Sequence, residues 1–168
     1  QEVRENPPPR NMQKVVLRMM PDDWGMHRDS FFQNNFHLLP ELVESVRQCL
    51  QDAGSKYLVD AYCGIGFFSL SLADLVEGFV GIDIDKQCIL PARRNLEQRG
   101  HTNGEFLLGK TEEHMDALLE RFPAKETTII LDPPRKGCRK EGLEMLVNAR
   151  PAQVIYVSCH PATLARDL

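Results

Sequence analysis

Tyr57-Leu58-Val59-Asp60-Ala61-Tyr62-Cys63-Gly64-Ile65-Gly66-Phe67-Phe68-Ser69 is the stretch on which the reading of this chain turns. Tyr57 to Tyr62 is a short apolar run holding one carboxylate, which predicts a buried strand. Gly64 and Gly66 then allow a tight turn in which the backbone can approach a ligand closely. Phe67 to Val76 continues as a predicted helix. A dinucleotide-binding turn has a third glycine three places after the second, and here that place holds Ser69. A pyrophosphate grip is therefore weakened, and a Gly-x-Gly turn by itself needs no ligand. The next strand, Gly78 to Asp83, ends in a carboxylate nineteen residues past Gly64. A carboxylate at that place accepts both hydroxyls of a ribose, so the two features together point to an adenosine-containing cofactor. The plainer role for Asp83 is to cap the following helix.

Working outward, the pattern repeats. Leu42, Val43, Val46 and Leu50 fall at helical spacing from Pro40 to a stop at Gly54. Lys86 to Arg99 predicts a helix closed by Gly100, kinked or delayed by Pro91. Glu105 to Leu108, Thr127 to Leu131 and Val154 to Val157 are further strand candidates. Helices between and after them are marked by Met115, Leu118, Leu119 and Phe122, and by Leu143, Met145, Leu146 and Val147. Short apolar strands alternating with helices predict an α/β, doubly wound, mostly parallel sheet covered on both faces. Before it, Pro7-Pro8-Pro9 argues against regular structure in residues 1–12. Lys14 to Met20 predicts a short strand ended by Pro21-Asp22-Asp23, so residues 1–28 read as a tail or linker with room for one short strand.

The bulk numbers bound the function. The chain has 168 residues, 42% hydrophobic and 26% charged, enough for one full core and inconsistent with a disordered or fibrous chain. No apolar run is long enough to span a membrane, and the first residues do not form a signal peptide. A net charge of −4 excludes nucleic-acid binding by bulk charge but not a local basic groove. The five cysteines include no C-x-x-C pair, so neither a zinc site nor a disulfide framework is expected, and the thiols read as reduced, in the cytoplasm or an organellar lumen. No metal and no membrane partner are expected, and nothing marks an obligate oligomer, so a monomer is.

In doubly wound sheets the ligand sits beyond the carboxyl ends of the strands. Two further stretches arrive there: Leu131-Asp132-Pro133-Pro134-Arg135-Lys136-Gly137-Cys138 and Tyr156-Val157-Ser158-Cys159-His160-Pro161-Ala162-Thr163-Leu164-Ala165-Arg166-Asp167. Cys159 just precedes Pro161, a favoured first-turn residue, so its thiol lies at the positive end of a helix dipole, which favours a nucleophilic thiolate. Cys49, Cys63 and Cys88 read as packed small hydrophobes, and Cys138 as a loop thiol without an evident partner. His160 reads as a loop or helix-cap residue.

The glycine turn, the acidic second strand and Asp-Pro-Pro resemble the class I S-adenosylmethionine-dependent methyltransferases, Rossmann-like enzymes whose cofactor carries no phosphate. By that resemblance Tyr62, Gly64 and Gly66 line the cofactor, Asp83 holds its ribose, and Asp60 steadies the loop or faces its amino group. Asp-Pro-Pro-Arg followed by Tyr-Val-Ser-Cys-x-Pro-Ala-Thr-Leu-Ala-Arg-Asp resembles, more narrowly, the RNA uracil-5-methyltransferases, which form 5-methyluridine in tRNA or rRNA. Phe31-Phe32-Gln33-Asn34-Asn35 matches their Phe-Gln-x-Asn segment, so the likeness runs from Asp29 to Leu168. It implies that residues 29–168 bind S-adenosylmethionine, with Gln33 and Asp132 near it. Cys159 would be the nucleophile, attacking uracil C6, and Asp132 would position the uracil or the methyl donor. Arg135 would touch phosphate or the enolate.

Departures from the pattern matter. Phe67 stands where the family has Asn or Thr, and Lys110 near where many relatives place an acid for the adenine. The family fold continues with two more strands and a glutamate that takes the C5 proton, so the expectation is a core truncated after its fifth strand, weak or inactive in turnover. Family relatives often carry an oligonucleotide-binding barrel or an iron–sulfur cysteine cluster ahead of this domain, and neither is expected within residues 1–28. The competing readings are an amino-group methyltransferase gripping its substrate with Asp-Pro-Pro, a non-catalytic cofactor-binding fragment, and a nicotinamide dehydrogenase, the last disfavoured by Ser69.

Overall fold

The computed structural model describes residues 37–168 and three strands before them, and among residues in those strands gives side-chain surroundings only for 24–26. Those strands are β1 (Val3–Asn6), β2 (Lys14–Met19) and β3 (Asp22–His27), paired antiparallel in the order β1-β2-β3. The N-terminal stretch read as tail or linker with one strand thus contains three. β1 escaped the sequence reading because Val-Arg-Glu-Asn has no apolar alternation. β3 shows one in Trp24 and Met26, both buried against the main core.

The main sheet is built from β4 (Tyr57–Ala61), β5 (Gly78–Asp83), β6 (Gly104–Leu108), β7 (Thr127–Leu131) and β8 (Gln153–Tyr156). All neighbouring pairs are parallel, in the order β6-β5-β4-β7-β8. This is the doubly wound, parallel sheet that the sequence predicts. Helices α1 (Leu39–Ala53), α2 (Phe67–Ser71) and α3 (Lys86–Arg99) pack on one face, and α4 (Thr111–Arg121) and α5 (Lys140–Ala149) on the other. A short α6 (Pro161–Asp167) follows β8. Within β4 the alternation is visible directly: Leu58 belongs to the first core cluster, Val59 and Ala61 to the second. The winding reverses between β4 and β7, and a crevice opens at their carboxyl ends.

Local chemistry sets the boundaries. α1 begins on Pro40, buries Leu39, Val43, Val46 and Leu50, and stops at Gly54 in the left-handed region. Cys49, expected to be packed, lies off that stripe and is exposed. β4 ends one residue early because Tyr62 turns to φ 64°. The helix expected over Phe67 to Val76 stops at Ser71 and gives way to a 3-10 turn at Ala73–Leu75. Side chains take its carbonyls: Arg47 donates to the Ser71 oxygen at 2.6 Å, and the Asn103 amide to those of Ala73 and Val76 at 2.8 and 3.0 Å. α3 runs through Pro91, which sits on its buried face in the second turn.

Asn95 joins the two sheets. Its fully buried amide accepts from Gly25 N–H at 2.9 Å and donates to Gly25 O at 3.0 Å, as a neighbouring strand would. The same amide nitrogen reaches Ile65 O in the glycine turn at 3.2 Å. Trp24 packs beside Phe67, ring centroids 5.2 Å apart, and Arg99 stacks over it at 3.8 Å.

Candidate active site

Asp60 is completely buried at the end of β4. Its Oδ2 accepts from the amide of Ser69 at 3.0 Å and from the Ser69 hydroxyl at 2.5 Å. Ser69 in the third-glycine place is therefore a ligand of Asp60 that ties the start of α2 to the strand. The other oxygen, Oδ1, is buried with no hydrogen-bond partner. Burial pushes this carboxyl up to about 7, with Asp132 and Asp83 adding repulsion. A buried carboxylate oxygen left without a partner beneath the glycine turn is suited to a cationic group brought there by a cofactor.

The turn has two differently placed glycines. Gly64, at φ 56°, has open space where a side chain would stand and donates its amide to Asp83 Oδ2 at 2.9 Å. Gly66, at φ 83°, has the Phe106 ring 2.4 Å from the place of a Cβ, so it is required by packing from behind. Asp83 also accepts from Asp85 N–H at 2.8 Å through Oδ1, and burial raises its pKa. Both oxygens keep lone pairs for ribose hydroxyls. The cap of α3 is Asp85, which accepts from Gln87 N–H at 2.8 Å, and not Asp83.

Tyr62 belongs to the turn, and its ring packs against the second core face with its hydroxyl beside Cys138; burial pushes the phenol up to about 12. Phe67 is buried against Trp24 rather than facing the crevice. Lys110 is engaged by Glu113 at 2.8 Å. Gln33 and the rest of Phe31 to Asn35 lie outside the described residues.

Asp132 is half-buried directly after β7, its amide donating to Ala61 O at 3.4 Å. On the adjacent strand, where Tyr156 pairs with Leu131, Cys159 follows three residues later and is exposed. His160 caps α6: its Nδ1 accepts from Thr163 N–H at 3.2 Å and meets the Thr163 hydroxyl at 2.7 Å. Sequence reasoning missed how α6 is held. Thr163 Oγ1 donates to Arg135 O at 3.0 Å, and Arg166 donates to Lys136 O at 2.8 Å. Asp167 Oδ2 accepts from Cys138 N–H at 2.8 Å and Tyr156 OH at 2.6 Å. The phenol holds that carboxyl below the usual carboxylate range. Cys138, read as partnerless, lies 3.8 Å from that same hydroxyl. Gly137, at φ 79°, leaves room for this clasp, since a Cβ would come 2.4 Å from both Asp167 Oδ2 and Thr163 Cγ2. The helix after Cys159 is thus bound to the loop after Asp132. Its sequence signal was the glycine that follows Arg135-Lys136 in the loop after β7.

Two apolar side chains were also missed. Ile84 is 64% exposed and Leu108 45%, at the carboxyl ends of β5 and β6 on either side of Asp83. Large apolar residues left open beside a candidate ribose site suit a flat purine.

The profile of the tRNA (uracil-5-)-methyltransferase family matches residues 18–168. The chain belongs to this family. It is 39% identical over 144 residues to the tRNA (uracil(54)-C(5))-methyltransferase of Saccharomyces cerevisiae, covering 82% of this chain and 22% of that one. An uncharacterised RNA methyltransferase of Thermosynechococcus vestitus is 40% identical over 139 residues, covering 83% and 30%. The crystal structure of Pyrococcus abyssi tRNA (uracil-54, C5)-methyltransferase, in complex with S-adenosyl-L-homocysteine, superposes with a TM-score of 0.72 at 31% identity, covering 92% of this chain and 36% of that one. The chain spans between about a fifth and a third of the lengths of these curated relatives of the family.

Proposed function

We propose that this chain is the S-adenosylmethionine-binding and catalytic core of an RNA uracil-5-methyltransferase acting on tRNA or rRNA through a covalent cysteine adduct. The observation that carries the reading is Cys159, exposed beyond the carboxyl end of β8 and clasped through α6 to the loop of Asp132. The relative crystallised with S-adenosyl-L-homocysteine supports the cofactor.

Asp60 Oδ1 receives the ammonium of the cofactor's methionine part, Asp83 its ribose, and the open side of Gly64 lets the chain pass close to the backbone. Ile84 and Leu108 flank the adenine. S-adenosylmethionine held there supplies the electrophilic methyl group, which C5 accepts while sulfur keeps the bond pair. Uracil C5 is too poor a nucleophile unaided. Cys159 thiolate adds to C6, and the C5–C6 π pair moves toward the C4 carbonyl as an enolate with its density on C5. After methylation a base takes the C5 proton, that pair restores the C5–C6 double bond, and the Cys159 sulfur leaves with the electrons of the S–C6 bond. Asp132 orients the uracil edge from the neighbouring strand.

The test is intact-protein mass spectrometry of the chain mixed with S-adenosylmethionine and a short RNA carrying 5-fluorouridine. Fluorine cannot leave as a proton, so the adduct accumulates and should map to Cys159 and vanish in Cys159→Ala. An amino-group methyltransferase would form no adduct and keep its activity in that variant. Absence of any adduct at saturating RNA and cofactor overturns the reading.

A further inference from the structure

The cations of this acidic chain are not spread evenly. A groove of about 500 Å³ lies beside the Asp132 loop, and four of its lining residues are Lys136, Arg139, Lys140 and Arg166. All four are exposed, as is neighbouring Arg135. The acids nearby are largely committed. Asp167, its side chain 1% exposed, is held by Tyr156, Cys138 and Arg166. Glu144 pairs loosely with Lys140 at 3.3 Å, leaving Glu141 on the first turn of α5. Among the described residues Lys136 and Arg139 form no ion pair.

From this clustering we infer that the groove binds the phosphate backbone of single-stranded RNA next to the target uridine. The inference rests on the reading of Cys159 given above and extends it to how the substrate is held. Clustered lysine and arginine in a groove attract polyanions, and guanidinium forks fit phosphate. A chain with net charge −4 repels RNA elsewhere, so a local groove is where such affinity concentrates. The groove meets the far end of α6 from Cys159. That helix is seven residues long, so the separation is about 10 Å, within a few nucleotides of the base being modified. The clasp that seats Cys159 also fixes Arg166 and the Lys136 backbone, so one scaffold sets the spacing between nucleophile and groove.

The experiment is fluorescence anisotropy of the chain with a labelled uridine-containing single-stranded RNA at 50–200 mM salt. If all five cations act, log Kd should change with log salt by about 3.5, and by about 2 in Lys136→Gln/Arg139→Gln. That double variant should weaken binding about tenfold or more at low salt. The control Lys56→Gln/Lys125→Gln, at the opposite edge of the sheet, should bind as the unaltered chain does. Affinity within twofold and an unchanged salt slope in the groove variant overturn the inference, as does undetectable RNA binding by the unaltered chain. Equal competition by poly-glutamate, charge for charge, also overturns it, because the groove would then be a general anion site. The 5-fluorouridine adduct separates the two proposals. A groove variant that still forms the adduct at saturating RNA, but needs more RNA to do so, supports both. An unaltered chain that binds RNA through the groove yet forms no adduct supports the groove and refutes the catalytic reading.

Discussion

Asn95→Leu keeps the volume of a fully buried side chain while deleting its three hydrogen bonds, to Gly25 N–H, Gly25 O and Ile65 O. A buried polar group left without a partner costs about 1–3 kcal/mol, so three give an upper range near 9. Water reaching the edge strand β3 relieves part of this, and the expected loss is about 3–5 kcal/mol, a large share of the stability typical of a domain. The chain carries its own reporter. Its one tryptophan, Trp24, sits on β3 and is 4% exposed between Phe67 and Arg99. Urea unfolding followed by Trp24 fluorescence and by far-ultraviolet circular dichroism should give transitions that lie closer together in the unaltered chain than in the variant. In Asn95→Leu the fluorescence transition should move to lower urea first, as the N-terminal sheet leaves the main one. Because Ile65 belongs to the glycine turn, affinity for S-adenosyl-L-homocysteine should also fall. Coincident transitions together with a stability change below about 0.5 kcal/mol would refute the joining role of Asn95.

Three other outcomes can be checked with the same protein. Gly137→Ala forces a Cβ against Asp167 and Thr163 at a positive φ; it should cost about 1–3 kcal/mol in thermal or urea unfolding and slow trapping of 5-fluorouridine more than it weakens cofactor binding. Asp60, with a folded pKa near 7 against about 4 when unfolded, contributes stability that is fully present below pH 4 and lost as pH rises to 7, about 4 kcal/mol in order of magnitude. Asp60→Asn should flatten that slope in urea titrations. Binding of the cationic cofactor should favour ionised Asp60, so calorimetry should show affinity rising up to about tenfold per unit between pH 5 and 7, and not in Asp60→Asn. Ile84→Ser should leave the melting temperature nearly unchanged, since the side chain is 64% exposed, yet weaken cofactor binding by about 1–2 kcal/mol through lost apolar contact.

The parts of the fold legible in the sequence were those set by burial. β4, β5 and β7 are buried on both sides, so they read as short, mainly apolar runs rather than alternating ones, and the five strands alternating with helices determine the sheet. What escaped was set by side chains meeting from distant segments. Nothing in the sequence near residue 72 announces that Asn103, some thirty positions later, takes the carbonyls of Ala73 and Val76. Asn95 looks like any helix residue until Gly25 and Ile65 are brought to it. The site divides in the same way. Asp60, Gly64, Asp83, Asp132 and Cys159 could be singled out because each lies within three residues of the carboxyl end of a strand, the edge where such sheets place their ligands. Ser69 read as a defect in a glycine pattern because its value lies in the bond to Asp60. Asp167 and Gly137 gained meaning only when the end of the chain folded onto the Asp132 loop.

Phe106 lies behind the cofactor turn, filling the space over Gly66 and also over Gly81, where a Cβ would come 2.4 Å from its ring. Gly66 is fixed by its positive φ as well, but Gly81 is in ordinary strand geometry and is held to glycine chiefly by that ring, with Cys63 Sγ 3.0 Å from the same place. Volume can therefore be exchanged between positions 81 and 106 without altering the turn. Across relatives, a leucine or valine at 106 should be accompanied by alanine or serine at 81, whereas glycine at 66 should not vary with either. Such a coupled drift would let the inner wall of the site change its residues over evolutionary time while the shape offered to the cofactor stays the same.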